Sequence, residues 1–249
     1  MSRARGANVW AVIPSRYESS RFPGKPLAEL CGKPMIQHVY ERAASTPSVE
    51  RVLVATDDER IEAAVTAFGG EAILTGDHPT GTDRIAEAVG LACIQREPPE
   101  WVLNVQGDEP LIDPVDLNSL TEGMALEPKG DMGTLVFPLR NESELQDPNV
   151  VKAVLDRRGC ALYFSRAPVP YPRGAGELGW RHMGVYLFRT AFLATFATMA
   201  PTPLSEREQL EQLRVLENGH TIHCFQASSL TIGVDVPEDI PRAEKLLRG

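Results

Sequence analysis

Apolar residues in the first half of the chain come in short unbroken runs, separated by stretches with helical spacing. This is the pattern of parallel strands buried on both faces and covered by helices. Val9 to Ile13, Arg51 to Thr56, Glu71 to Leu74 and Trp101 to Gln106 are predicted strands, with helices near Pro34 to Ala44, Asp58 to Phe68 and Thr82 to Ala92. Gly69-Gly70 reads as a helix stop, and Asp113-Pro114 as the cap and first residue of a further helix. From Gly133 the pattern changes. Thr134 to Arg140, Val150 to Leu155, Ala161 to Phe164 and Arg181 to Phe188 are strand-like, with a hairpin turn over Asp156 to Gly159. Residues 165–180, rich in Pro and Gly, form an irregular excursion suited to lining a site or meeting a second subunit. Leu204 to Leu216 is a predicted helix with a capping box at Ser205 and Glu208 and a stop at Asn218-Gly219. A strand over Thr221 to Phe225 and a closing helix after Asp235, Pro237 and Glu238 complete an α/β chain with a central, mostly parallel, mixed sheet.

Composition narrows the function. With 43% hydrophobic and 24% charged residues, 249 residues make a globular chain able to bury a sizeable core. The formal net charge of -9 argues against a general nucleic-acid or membrane-surface binder, which needs many cations acting together. Cys31, Cys93, Cys160 and Cys224 are widely spaced, without a CxxC pair or zinc spacing, as expected in a reducing cytoplasm. The N-terminal stretch, with Arg3 and Arg5 before a five-residue apolar run, is too short for a signal segment or membrane span. The expected location is cytoplasmic.

Against this acidic background Arg16, Arg21 and Lys25 stand together in IPSRYESSRFPGKPL, a loop that comes after the first strand. In open α/β sheets the ligand crevice lies outside the carboxyl ends of strands, so these cations are placed to meet one concentrated anion such as a triphosphate. A solvated basic loop is the plain alternative; the GxxxxGK[ST] phosphate loop is absent. Asp108, in NVQGDEP, and Asp235, in GVDVPED, sit at two further strand ends, where two carboxylates beside a polyphosphate suit Mg²⁺. Gly107 would allow a close backbone approach; Asp108 also reads as a turn residue and Asp235 as the cap of the last helix. In HPTGTDR, Thr80, Gly81, Thr82 and Arg84 offer a helix start to a base or phosphate, or a plain cap at Thr82. Arg166, Arg173, His182, Tyr186, Glu211 and Gln212 lie in or beside apolar runs of the second portion. Together they suit a polyhydroxylated acid, with Arg for its carboxylate.

These segments, with LYFSRAPVP, RHMGVY and LEQLRVL, resemble in order and spacing the 3-deoxy-manno-octulosonate cytidylyltransferase family over roughly residues 9–245. The resemblance implies a Rossmann-like nucleotidyltransferase fold with a late dimerisation and sugar-binding portion, CTP and Mg²⁺. It implies transfer of CMP to the anomeric hydroxyl of 3-deoxy-D-manno-octulosonate (Kdo), for lipopolysaccharide synthesis. It puts Arg16, Ser19, Arg21, Lys25, Gly81 and Arg84 with CTP, Asp108 and Asp235 on metal, and Gln106, Arg166, Arg173, His182, Tyr186, Glu211 and Gln212 around the sugar acid. Arg16, Lys25, Asp108 and Asp235 are the implied catalytic set. Residues 1–130 and 220–249 would serve mainly nucleotide and metal, and 131–219 the acceptor and a homodimer contact, within one domain. An amino-substituted Kdo or a sialic acid is the alternative acceptor, and an inactive nucleotide-binding regulator the alternative of another class. Ser15, Glu18 and Leu230 to Gly233 depart from the family's usual residues. Glu18 places a negative charge beside the phosphate loop, to be balanced by solvent or Arg21.

Overall fold

The computed structural model describes residues 8–248 apart from 20, 95, 128 and 175; Arg3 and Arg5 lie outside the described residues. The first apolar run becomes β1 (Val9–Ser15), buried on both faces because each face carries its own core. Trp10 and Val12 join one cluster, while Val9, Ala11 and Ile13 join the other, as period-2 alternation requires. β4 (Val49–Thr56) and β6 (Trp101–Asn104) flank β1 in parallel, and β5 (Ala72–Leu74) extends this half beyond β4.

Helices cover both faces. α1 (Met35–Ala44), α2 (Glu59–Ala67) and α4 (Pro114–Ala125) bury Val39, Val65 and Leu120 in one core. α3 (Gly81–Ala92) buries Ile85 and Val89 in the other. Each fully buried aliphatic side chain contributes about 1.5–3 kcal/mol relative to exposure. Asp113 caps α4 by accepting from Val115 N at 2.9 Å, and α2 ends before Gly69, whose φ is +81°. Both features match the sequence reading.

The second portion supplies β7 (Met132–Pro138), the short α5 (Glu142–Gln146), β8 (Lys152–Leu155) and β9 (Ala161–Ser165). The long β10 (Trp180–Arg189) lies between β6 and β7 and is antiparallel to both, which makes the sheet mixed. β11 (Ile222–Gln226) is parallel to β7, and the main path reads β11-β7-β10-β6-β1-β4-β5, with β8 and β9 branching from β10. A two-stranded ladder of β2 (Glu29–Leu30) and β3 (Lys33–Pro34) comes after the first loop. No helix among the described residues is long and apolar enough to cross a membrane.

Two expectations are corrected here. The helix over Leu204 to Leu216 is two short helices, α7 (Pro203–Glu208) and α8 (Leu213–Glu217), because Gln209 enters the left-handed region at φ 53°. The break lets the Glu208 carboxylate turn back to accept from Ser165 Oγ (2.6 Å) and Arg166 N (2.9 Å). The capping box therefore pairs Thr202 with Ser205, one turn earlier than read from Ser205 and Glu208. α6 (Thr190–Thr198) gave no period-3.6 signal, since six of its nine residues are apolar. The closing helix is α9 (Ile240–Leu247), preceded by a 3₁₀ turn over Pro237–Asp239.

Candidate active site

The carboxyl ends of β1 and β6, the loop into α3 and the loop after β11 surround a cleft of about 260 Å³. Arg16, Ser19, Arg21, Lys25, Gly81, Arg84, Gln106, Asp108 and Asp235 all line it. Asp108 and Asp235, 127 positions apart in sequence, are joined through their backbones by Val234 N donating to Asp108 O at 2.9 Å. Gly107, just before Asp108, packs closely on the end of β1, where a Cβ would lie 3.1 Å from Pro14 O. Asp235 is not the cap of the last helix. Asp239 holds the N-cap position of α9, and its Oδ2 closes the preceding 3₁₀ turn by accepting from Asp235 N (2.9 Å) and Val236 N (3.1 Å), while the Asp235 carboxylate faces the cleft.

One ammonium binds both carboxylates. Lys25 Nζ lies 2.7 Å from Asp108 Oδ2 and 3.6 Å from Asp235 Oδ1, while Arg21 Nη2 reaches the same Asp235 oxygen at 3.2 Å. The Lys25 side chain is only 15% exposed against 67% for Arg21, so Lys25 is the built-in counter-ion and Arg21 the peripheral one. Exposed Glu18 does not pair with Arg21; it borders a shallow depression shared with Arg60. Two carboxylate groups converging on one cation fit a hard ion completed by phosphate oxygens and water. Among the described residues no cluster of three His, Cys, Asp or Glu offers a closed protein cage.

The loop into α3 differs in detail from its sequence reading. Thr80, not Thr82, is the N-cap, accepting from Asp83 N at 3.1 Å. Arg84 reaches the cleft wall with its guanidinium already committed, donating to Asp57 Oδ2 (2.6 Å), Thr75 Oγ1 (2.7 Å) and Gly76 O (3.3 Å). It staples the loop rather than offering an open fork to phosphate. Sequence reasoning missed His78, a cleft residue bonded to Glu87, and Ser15, whose buried Oγ has no hydrogen-bond partner among the described residues. The position of Ser15 at a strand end was the available signal for it.

None of Arg166, Arg173, His182, Tyr186, Glu211 and Gln212 lines that cleft. Four of them gather beneath it. Gln106 packs over Gly184 of β10, where a Cβ would meet its Cγ at 3.9 Å, and His182 and Tyr186 flank that glycine on the same face. Tyr186 is paired in register with Asn104, and Thr82 Oγ1 donates to Glu211 Oε1 at 2.7 Å. The next residue, Gln212, is buried, and neither its Nε2 nor Asn104 Nδ2 has a hydrogen-bond partner among the described residues. Buried polar atoms without partners are uncommon enough to mark a place for a ligand or water. The two arginines stand apart. Arg166 donates to the carbonyls of Glu208 (2.8 Å), Pro148 (3.0 Å) and Gln209 (3.4 Å), closing two loops onto the end of β9, and Arg173 is exposed on the excursion beyond it. Neither carries its guanidinium into the group around His182, which corrects their expected grouping.

His182 sits between Phe164 and Tyr186, and burial pushes its pKa down to about 3 from 6.5. Thr134 Oγ1 has one proton and a carbonyl acceptor in Val185 O at 2.7 Å, so the 2.9 Å contact with His182 is Nε2–H donating to the hydroxyl. The ring is therefore neutral, with Nδ1 as its acceptor. A depressed pKa on a base means that the unfolded chain takes up the proton first, so stability falls as pH drops through the window from 6.5 toward 3. His182→Gln should therefore lose about 2 kcal/mol less than wild type between pH 7 and pH 5 in urea unfolding. Parallel pH slopes for the two proteins would refute a buried neutral ring.

Burial also raises the pKa of Glu211, and raises Glu109, beside Asp108, to about 7. Desolvation is the largest cause in both. Hydrogen bonding from Thr82 and the charge of Arg214 oppose it at Glu211, and the neighbouring Asp108 charge adds to it at Glu109.

A cytidylyltransferase family model matches residues 10–222. The 3-deoxy-manno-octulosonate cytidylyltransferase of Syntrophotalea carbinolica is 51% identical over 253 residues, covering 97% of this chain and 99% of its own. That of Anaeromyxobacter dehalogenans is 50% identical over 242 residues, covering 96% and 98%. Among solved structures, a CMP:2-keto-3-deoxy-manno-octonic acid synthetase complexed with CTP superposes with a TM-score of 0.90 at 42% identity, over 97% of this chain and 99% of that one. The 4-diphosphocytidyl-2C-methyl-D-erythritol synthase of Anaerococcus prevotii, 12% identical with a TM-score of 0.65, shares the fold. Relatives that share about half of its residues over nearly its whole length show that this chain belongs to the 3-deoxy-manno-octulosonate cytidylyltransferase family.

Proposed function

We propose that the chain catalyses its family's reaction in this cleft, transferring CMP from CTP to the anomeric hydroxyl of Kdo and activating the sugar for lipopolysaccharide synthesis. The hydroxyl oxygen, losing its proton to solvent, attacks the α-phosphorus, the bond to the oxygen bridging to the β-phosphate breaks, and pyrophosphate leaves with the displaced electron pair. The observation that carries this reading is the convergence of Lys25, Asp108 and Asp235 at one end of a cleft walled by the cationic loop. Such chemistry asks the protein mainly for positioning and charge stabilisation. Arg16, Arg21 and Lys25 meet the triphosphate and oppose charge growing on the leaving pyrophosphate. Asp108 and Asp235 would hold Mg²⁺, which when bound supplies positive charge to the phosphates and lowers the pKa of the attacking hydroxyl.

We place the acceptor on the Gln106 side of the cleft, toward the group around His182. His182 Nδ1, Asn104 Nδ2, Gln212 Nε2 and the Glu211 carboxyl group offer a neutral acceptor, donors and a further acceptor to successive hydroxyls. This division leaves residues 1–130 and 220–249 mainly with nucleotide and metal, and 131–219 mainly with the sugar. Exposed Leu162 and Tyr171, on β9 and the excursion, are the apolar positions for the proposed homodimer. We place the enzyme in the cytoplasm, with its nucleotide substrate.

The test measures pyrophosphate release from CTP and Mg²⁺ with Kdo, 8-amino-Kdo and sialic acid in parallel. Kdo should give the highest kcat/KM. No release above background with Kdo would defeat the proposal, and a larger signal with either competitor would reassign the acceptor.

A further inference from the structure

The phosphate loop carries a ring-stacked fastening that the reaction chemistry does not use. Gly24 N donates to Tyr17 O at 2.8 Å, closing the loop between the residues that adjoin Lys25 and Arg16. The Tyr17 ring lies against Gly24, which has φ +71°; a Cβ there would be 3.2 Å from ring atoms, so only glycine fits both the conformation and the contact. Over the Tyr17 ring the Arg60 guanidinium sits 3.3 Å from the centroid. Arg60 is itself held at Asp58, with Nε at 3.0 Å and Nη2 at 2.6 Å from its carboxylate oxygens. Asp58 caps α2 and donates its own N–H to Thr56 Oγ1 at the end of β4. A continuous chain of contacts therefore runs from the rigid sheet through Asp58, Arg60 and Tyr17 to the peptide before Lys25.

We propose that Tyr17 and Arg60 are positioning residues, a clamp that sets the spacing between Arg16 and Lys25 and so prepares the loop for a nucleotide triphosphate. The inference deepens the proposed function and rests on it only in taking the cleft to receive CTP. A loop held by this stack loses less conformational freedom when the triphosphate binds, which makes binding tighter without any contact between the clamp and the ligand. A cation over an aromatic face at an exposed site has the strength to matter at this level.

The test is calorimetric titration of CTP into the full chain without acceptor, alongside thermal melting, for Tyr17→Ala, Arg60→Ala, the double variant and Tyr17→Phe. Each alanine variant should weaken CTP binding about three- to ten-fold. The double variant should be no weaker than the worse single, because both changes remove the same contact. Tyr17→Phe, which keeps the ring, should return to within about two-fold of wild type. Unchanged CTP affinity in Arg60→Ala, or two losses that simply multiply in the double variant, would overturn the clamp. Lower melting temperature with wild-type affinity would reduce the stack to a structural contact and overturn it too. Because the readout is CTP binding, a failed acceptor assay refutes the sugar assignment without touching this inference.

Discussion

Asp108→Asn and Asp235→Asn should each lower turnover by about a hundred-fold or more while the fold survives, as seen by melting temperature and circular dichroism. Asparagine keeps the shape of each side chain and removes one negative charge from a site that offers a cation very few protein oxygens. The fold should tolerate the change because the contact that ties the two loops, Val234 N to Asp108 O, is made by backbone. The ion pairs lost are partly exposed, 34% at Asp108 and 55% at Asp235, and pairs of that kind contribute little stability. The rate loss should be accompanied by a raised Mg²⁺ requirement, measured by titrating the metal at saturating CTP. If Asp235→Asn retained both the wild-type rate and the wild-type Mg²⁺ dependence, Asp235 would be only an ion-pair partner of Arg21 and Lys25.

Lys25→Ala should lower kcat by about a hundred- to a thousand-fold and change the KM for CTP by only a few-fold. The Lys25 ammonium is bonded to Asp108 and close to Asp235. Turning it toward a triphosphate gives up those contacts, so the net gain in ground-state binding is small. Charge growing on the departing pyrophosphate has no such offset, and a cation aimed there acts mainly in the transition state. Arg16 has no comparable side-chain contact to give up among the described residues, so Arg16→Ala should reduce both CTP affinity and rate. Steady-state kinetics with varied CTP separate the two. Lost CTP affinity with an unchanged kcat for Lys25→Ala would contradict the assigned role.

Much of this site was legible because strand ends are legible. Short apolar runs at Val9 to Ile13 and Trp101 to Asn104 end in polar, glycine-containing loops, and the sheet topology places those ends on one rim. Arg16, Lys25 and Asp108 are read that way. Asp235, also expected at a strand end, lies instead in an irregular loop nine positions past the end of β11 at Gln226, held to the Asp108 loop by the Val234 N–H. Guanidinium groups were harder to read. Arg84 and Arg166 look like anion ligands in one dimension, yet each donates three times within the chain, to acceptors such as Asp57 and the carbonyl of Pro148 whose proximity no local pattern encodes. The helix break at Gln209 was hidden for a related reason. Its left-handed backbone is sustained by long-range contacts on either side, the return of Glu208 to β9 and the bond from Thr82 to Glu211.

The amino-acid sequence by itself determined the alternation of strands and helices, the loops that carry charge and the acidic character that confines those cations to a small anion. Hydrophobic period and turn chemistry act over a few residues and survive in one dimension. Tertiary structure decided which charges face one another. Lys25 meets two carboxylates from loops 127 positions apart only because β1 and β6 are neighbours and Val234 is bonded to the backbone of Asp108. The Asp239 carboxylate closes the 3₁₀ turn by accepting from Asp235 N and Val236 N, and the Asp235 carboxylate meets Arg21 and Lys25 in the cleft instead of a helix start. Electrostatic partnership depends on distances of a few ångströms, and those are set by the packing of the whole sheet.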